Sequence, residues 1–196
     1  VSQEEFSFDF LGLIVFQDPP KENIIQTIKT FNDAGISVKM ITGDYAETAL
    51  AIAGQIHLAH NNEVLTGKDV LHLSKEVLQQ RVKQVDIYAR MFPEAKLKVI
   101  EALKDAGEVV AMTGDGVNDG PALKAAHIGI AMGERGSEVA KNAASLILTD
   151  DDLAHMTDAV ALGRKIYDNL KKAIQYIVSI HIPIILIVAL PLLLWN

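Results

Sequence analysis

The sequence contains no cysteine, which excludes disulfide bonds and thiolate chemistry. Basic residues are also in deficit: 18 Lys and Arg stand against 25 Asp and Glu, giving a net charge of −7. Such acidity argues against nucleic acid as a partner. The first residue is Val1 rather than methionine, and we expect the chain to be a piece of a longer protein.

Several common site motifs are absent as well. No Gly-x4-Gly-Lys-Ser/Thr string occurs, so a P-loop ATPase is excluded. Gly114 and Gly116 could begin a dinucleotide fingerprint, but its third glycine should stand at position 119, which is Asp119. The six histidines show no metal-ligand cluster.

What is present is an alternation of short apolar segments with helical patterns. Phe6–Phe16 is apolar and rich in strand formers, which predicts a strand buried on both faces. Ile36–Ile41 and Asp86–Arg90 also favour strands, and Lys21–Ala34 has apolar residues at helical spacing before Gly35. The alternation predicts an α/β fold with a mostly parallel sheet flanked by helices.

The most informative stretch is Met112–Met132, where an apolar run leads into a loop that carries Asp115, Asn118 and Asp119. Acidic groups at the carboxyl end of a parallel strand lie where open α/β sheets bind ligands. Carboxylate and amide oxygens suit Mg²⁺ and a phosphoryl group. The alternative is a loop whose polar side chains only make turn hydrogen bonds.

This stretch resembles the hinge segment of P-type cation-transporting ATPases, except that Gly120 replaces the commonest alanine. Four further segments resemble motifs of the same family in the same order: Asp18-Pro19-Pro20, Thr42-Gly43-Asp44, Phe92-Pro93-Glu94-Ala95-Lys96 and Gly163–Asn169. The resemblance implies a haloacid dehalogenase-like (Rossmannoid) phosphorylation domain. It also implies Mg²⁺ and ATP as cofactors.

The resemblance assigns roles to individual residues. Thr42, Lys96 and Asn118 contact the phosphoryl group, and Asp115 holds Mg²⁺. Asp119 supports the metal shell or orients Lys96. Gly43 and Asp44 belong to the phosphoryl or ATP site, and Asp18 lies on its nucleotide side. From the residues alone, a turn role for Thr42, a solvated helix lysine at 96 and a strand-ending cap at Asp18 remain open.

The nucleophile motif of the family, Asp-Lys-Thr-Gly-Thr, is absent. Asp150-Asp151-Asp152 follows an apolar run but lacks the small and hydroxylated residues of a phosphate loop, and we interpret it as an acidic helix start. Asp9 and Asp86 fail the same test. We therefore expect the nucleophile, the first strand of the fold and the nucleotide-binding domain to lie outside these residues. The 196 residues alone are then predicted to be inactive.

The tail lacks charge: no Asp, Glu, Lys or Arg follows Lys172. At about 1.5 Å per residue, Ile174–Trp195 spans about 33 Å as a helix, close to one bilayer core. Arg164, Lys165 and Lys171 precede it and predict the cytoplasmic flank. A buried core helix is the alternative.

We therefore expect a partial phosphorylation domain at residues 1–152, a cytosolic stalk helix at 153–173 and a membrane helix at 174–196. The expected partners are ATP, a transported cation, the bilayer and the remaining parts of the pump, in the plasma membrane. His181 could face an ion path or bond a neighbouring helix. The competing hypotheses are a soluble haloacid dehalogenase-like phosphatase and a truncated, non-catalytic, membrane-tethered module.

Overall fold

The computed structural model describes residues 9–12, 14, 19–58, 61 and 63–194. Six short strands alternate with helices in the described chain. The strands are β1 (Met40–Ile41), β2 (Val64–Thr66), β3 (Ile87–Ala89), β4 (Ala111–Gly114), β5 (Ile128–Met132) and β6 (Leu146–Leu148). The helices are α1 (Ile24–Asp33), α2 (Ala46–Gln55), α3 (Gly67–His72), α4 (Lys75–Gln84), α5 (Pro93–Asp105), α6 (Gly120–Ala125), α7 (Glu138–Ala143) and α8 (Ala154–Leu194). A 3₁₀ turn, Val117–Asp119, lies between β4 and α6.

The strands form two three-stranded sheets, ordered β1-β3-β2 and β4-β5-β6. Every pairing is parallel, from Met40 opposite Ile87 in the first sheet to Met132 opposite Leu148 in the second. The predicted parallel architecture flanked by helices is confirmed, but as two sheets instead of one. Within the described residues β1 and β4 are edge strands, and no described strand joins them.

Some predicted boundaries were wrong. Only Met40–Ile41 of the expected strand Ile36–Ile41 is paired, opposite Ile87 and Tyr88 of β3. Residues 9–12 and 14 of the expected first strand have no regular secondary structure, and Phe10 and Leu11 are exposed. The rest of that strand, together with Asp18 and Trp195, lies outside the described residues.

The helices pack on the strands through two apolar clusters. The larger contains Leu78, Val82 and Val99 from α4 and α5, and it extends across Met112 of β4. The smaller joins Ile28 of α1 to α2 and β3. Strand β3 is buried along its whole length, as expected of a central strand in a parallel sheet. This packing fixes where the loops after β1, β3 and β4 emerge.

Helix α8 differs from the rest, because its apolar part is not buried against the described chain. Its stretch Ala154–Pro191 is long and apolar enough to cross a membrane. It runs without an assigned break through the boundary predicted at 173/174 and through Pro183 and Pro191. Apolar side chains such as Ile187, which is 72% exposed, are left without a packing partner in the described chain.

Candidate functional site

The centre of the candidate site is an ion pair between Lys96 and Asp119. Lys96 Nζ donates to Asp119 Oδ1 at 2.7 Å, and the two side chains are only 15% and 10% exposed. The partners are 23 residues apart in sequence and belong to different sheets: Lys96 is on α5, which follows β3, and Asp119 is in the loop after β4. The pair therefore bridges the two sheets at their carboxyl ends.

The second oxygen of Asp119 is also engaged. Asp119 Oδ2 accepts a hydrogen bond of 3.1 Å from the backbone N–H of Gly116, which closes the loop on itself. With one oxygen on Lys96 and the other on the backbone, this geometry favours the role of orienting Lys96 over direct metal ligation. Both roles remain predictions.

Asp115 and Asn118 are exposed at the tip of the same loop. Asp115 also lines a cavity of about 370 Å³, whose wall includes Lys21, Arg135, Asp151 and Ile56. The backbone of Asp115 is held separately, because its carbonyl accepts a 2.7 Å hydrogen bond from the N–H of Ser137. The carboxylate is thus solvent-accessible while its backbone is fixed.

The predicted Thr42-Gly43-Asp44 motif forms a compact turn after β1. The Thr42 hydroxyl donates to Asp44 Oδ2 at 3.0 Å and accepts from the Asp44 N–H at 3.1 Å. The Thr42 carbonyl accepts from the N–H of Met91, just before α5 begins. This turn therefore lies next to the start of the helix that carries Lys96. The hydroxyl makes the local turn contact that was left open as the alternative role for Thr42.

Arg90 was not predicted from the sequence as a site residue. Its guanidinium lies 4.4 Å above the ring of Tyr45. The backbone N–H of Arg90 donates to the Asp44 carbonyl. Arg90 has a positive φ of 51°, which is uncommon outside glycine. No signal in the sequence distinguishes such a backbone conformation, and the arginine looked like the end of a strand.

The interpretation of Asp150-Asp151-Asp152 as an acidic helix start is wrong for Asp151. Asp152 accepts from the Ala154 N–H at 2.9 Å, as expected at a helix start. The Asp151 carboxylate instead accepts hydrogen bonds from the backbone N–H groups of Glu134 and Arg135, at 3.1 and 3.0 Å. Asp151 also has a positive φ of 54°, which is uncommon outside glycine.

The donor set of the loop fits Mg²⁺ in part. Asp115 offers an exposed carboxylate, and Mg²⁺ commonly takes one or two carboxylates and several waters. Among the described residues no group of three or more His, Asp or Glu side chains could hold a metal ion. The residues therefore suit a hydrated Mg²⁺ that is also held by a phosphoryl group, and they do not suit a metal enclosed by protein ligands.

A family model for haloacid dehalogenase-like hydrolases matches residues 2–127. The chain is 44% identical over 195 residues to the calcium-transporting ATPase of Bacillus subtilis strain 168, covering 99% of this chain and 22% of that protein. It is 43% identical over 182 residues to the human calcium-transporting ATPase type 2C member 2, covering 92% and 19%. The chain thus spans about a fifth of the length of these curated relatives.

Solved structures of ATPases are also similar to this chain. The crystal structure of a zinc-transporting PIB-type ATPase matches with a TM-score of 0.63 and 30% identity, over 81% of this chain and 21% of that one. The catalytic domain of the CPx-ATPase CopB-B matches with a TM-score of 0.55 and 25% identity, over 72% and 45%. The similarity therefore includes both the overall sequence and the arrangement of strands and helices.

Proposed function

Since the chain belongs to the haloacid dehalogenase-like hydrolases, we propose that it supplies the Mg²⁺- and phosphoryl-binding part of an ATP-driven P-type cation pump. Its curated relatives are cation-transporting ATPases. The observation that supports the proposal most strongly is the buried Lys96–Asp119 pair at the carboxyl ends of the two sheets. The carboxylate fixes the position of the lysine's positive charge, and a transferring phosphoryl group needs positive charge at that place.

The other residues act around that charge. Thr42 and Asn118 donate hydrogen bonds to the phosphoryl oxygens, and Gly43 and Asp44 shape the turn from which Thr42 projects. Asp115, with support from Asp119, holds Mg²⁺, which neutralises negative charge on the phosphate when it is bound. Asp18 contacts the nucleotide side of ATP. Hydrogen bonds and charges placed in advance in this way account for most catalysis of phosphoryl transfer.

The acceptor of the phosphoryl group is an aspartate outside this chain. We propose that it arrives on a strand that pairs with β1 and β4, the two edge strands whose following loops carry Thr42 and Asp115. Covalent transfer to a carboxylate splits one difficult displacement into two easier steps. We propose that the nucleotide-binding domain also lies outside the residues of this chain.

The remaining assignment concerns the membrane. We propose that residues 1–152 are the cytosolic catalytic part, 153–173 a stalk and 174–196 a membrane helix, in the plasma membrane. The exposed apolar surface of α8 and the basic residues before it support this orientation. For the cation we propose Ca²⁺, because the relatives named above are described as calcium-transporting. A soluble phosphatase would not be expected to expose the apolar surface of α8.

The test uses the full-length protein in membrane vesicles, labelled ATP and Mg²⁺. We expect an acid-stable, hydroxylamine-sensitive phosphoprotein and ATP-dependent Ca²⁺ uptake. Lys96→Ala and Asp115→Asn should each lower the rate of phosphoprotein formation by about 10²-fold, the usual effect of removing one electrostatic stabiliser. Lys124→Ala, which changes an exposed lysine on α6, is the matched control.

Two results would contradict the proposal. One is wild-type labelling in both Lys96→Ala and Asp115→Asn. The other is hydroxylamine-sensitive label on the isolated 196-residue chain, because that label would reveal a nucleophile among these residues.

A further inference from the structure

Asp151 is a buried carboxylate that the proposed chemistry does not use. The residue is 8% exposed and lies three residues before α8, yet its side chain bonds the loop that follows β5. Burial works against ionisation and is the largest single influence on its pKa. The backbone N–H groups of Arg135 and Glu134, with the nearby positive charge of Lys21, lower the pKa of Asp151 below its ordinary value despite this burial. The carboxylate is thus held in its charged form by the loop.

The loop bonded by Asp151 continues directly to the candidate site. Ser137 follows it, and the Ser137 N–H donates to the Asp115 carbonyl at 2.7 Å. At the other end, the Gly133 N–H donates to the Leu148 carbonyl at 2.8 Å. The loop is tightly packed at Gly133, where a β-carbon would lie 2.7 Å from the Thr149 backbone. Residues 133–137 therefore link Asp115 to the segment that precedes α8 through hydrogen bonds at both ends.

A second set of contacts ties the start of α8 to α1. Lys21 Nζ donates to the Asp151 carbonyl at 2.8 Å, and Asn23 Nδ2 donates to both oxygens of Asp152 at 2.9 and 3.0 Å. Further along α8, Arg164 donates to the Ala34 carbonyl at 2.6 Å, beyond the other end of α1. The segment before α1 is thus bonded to the residues before α8, and the residue after α1 is bonded to Arg164 within α8.

We propose that Asp151 is a positioning residue that couples the Asp115 loop to α8, so that a displacement of the phosphoryl-binding loop moves the helix that enters the membrane. The inference rests on the proposed function. The Asp151 carboxylate is the side-chain part of this connection, because its two oxygens join the N–H groups of Glu134 and Arg135 to a position three residues before α8. Side-chain hydrogen-bond networks of this kind, linked to rigid elements, carry coupling between distant sites.

The experiment compares Asp151→Asn and Asp151→Gly in the full-length protein in vesicles. Both replacement residues tolerate a positive φ, so neither adds backbone strain, whereas both remove the charged acceptor. Asp150→Asn is the matched control, because the neighbouring Asp150 carboxylate is 45% exposed and bonds His155 instead of the loop. The two readouts are the amount of hydroxylamine-sensitive phosphoprotein and the rate of cation uptake per phosphoprotein.

We expect wild-type phosphoprotein levels in both Asp151 variants and a fall of about 2- to 30-fold in uptake per phosphoprotein, the range for residues along a coupling network. Unchanged uptake per phosphoprotein would overturn the coupling role. Loss of phosphoprotein and uptake in equal proportion would also overturn it, because that is the signature of a merely structural residue. A wild-type protein that forms no phosphoprotein would instead refute the proposed function, and the coupling role with it.

Discussion

The Lys96–Asp119 pair allows a quantitative test of the site. Removing one partner of a buried ion pair costs about 3–5 kcal/mol, since the other charge is left buried without compensation. Here the side chains remain 15% and 10% exposed, and Asp119 keeps its bond from the Gly116 N–H, so water and the backbone recover part of that loss. We expect Lys96→Met and Asp119→Leu each to destabilise the chain by about 2–3 kcal/mol.

The double variant separates the pair from its surroundings. Lys96→Met together with Asp119→Leu leaves no unpaired charge, and only the loop bond to Gly116 is lost. Its cost should be about that of one single variant, which gives a coupling energy of about 2 kcal/mol. The control is the Lys141–Glu138 pair on α7, at 3.3 Å, in which Glu138 is 83% exposed. Its coupling energy should not exceed about 0.5 kcal/mol.

Equilibrium urea unfolding in mild detergent measures these energies. The near-ultraviolet circular dichroism of the aromatic side chains is a suitable signal, because Tyr88 is fully buried in β3 and contributes to it only in the folded state. A coupling energy for Lys96 and Asp119 no larger than that of the surface pair would refute the reasoning. The two side chains would then be screened by solvent, and the lysine would not be held in one position.

Three further predictions concern the structure around the site. Thr66→Ala removes a capping box in which Thr66 and Asp69 bond each other's backbone N–H, and it should cost about 1 kcal/mol in urea unfolding. The lowered pKa of Asp151 contributes stability that is present above the ordinary carboxyl value of 3.8 and is lost as the pH falls through the lowered value. Stability measured from neutral pH to about pH 3 should therefore fall less steeply in Asp151→Asn than in the wild type. Gly136→Ala places a β-carbon against a backbone carbonyl and should cost at least about 2 kcal/mol, whereas Gly54→Ala, in open space on α2, should stabilise by about 0.5–1 kcal/mol.

Local signals predicted the elements that carry the site. Pro93 followed by apolar residues at helical spacing is typical of a helix start, and α5 runs from Pro93 to Asp105. The apolar run before Thr113 predicted β4, although its ladder extends to Gly114 and leaves Val109 82% exposed. Strand ends depend on the neighbouring strand, which a single sequence does not specify.

The tertiary contacts could not be predicted in the same way. Lys96 and Asp119 are 23 positions apart, and the segment between them includes a strand and most of a helix, so their separation in space depends on how the two sheets pack. Asp151 shows the limit more clearly. Three successive aspartates before a helix all suit the helix dipole, and only the positive φ at the middle one directs its carboxylate to another loop.

The contacts of Lys96, Asp115 and Asp151 form a physical connection between the proposed phosphoryl site and α8. Lys96 has one positive charge, and in the present arrangement Asp119 receives it at 2.7 Å. On the proposed function, a phosphoryl group bound at the same lysine would compete with Asp119 for that charge and weaken the contact that holds the loop after β4. A shift of this loop would be transmitted, since the Asp115 carbonyl accepts from the Ser137 N–H, and Asp151, three residues before α8, bonds Glu134 and Arg135. We therefore expect competition for one lysine to displace the base of α8.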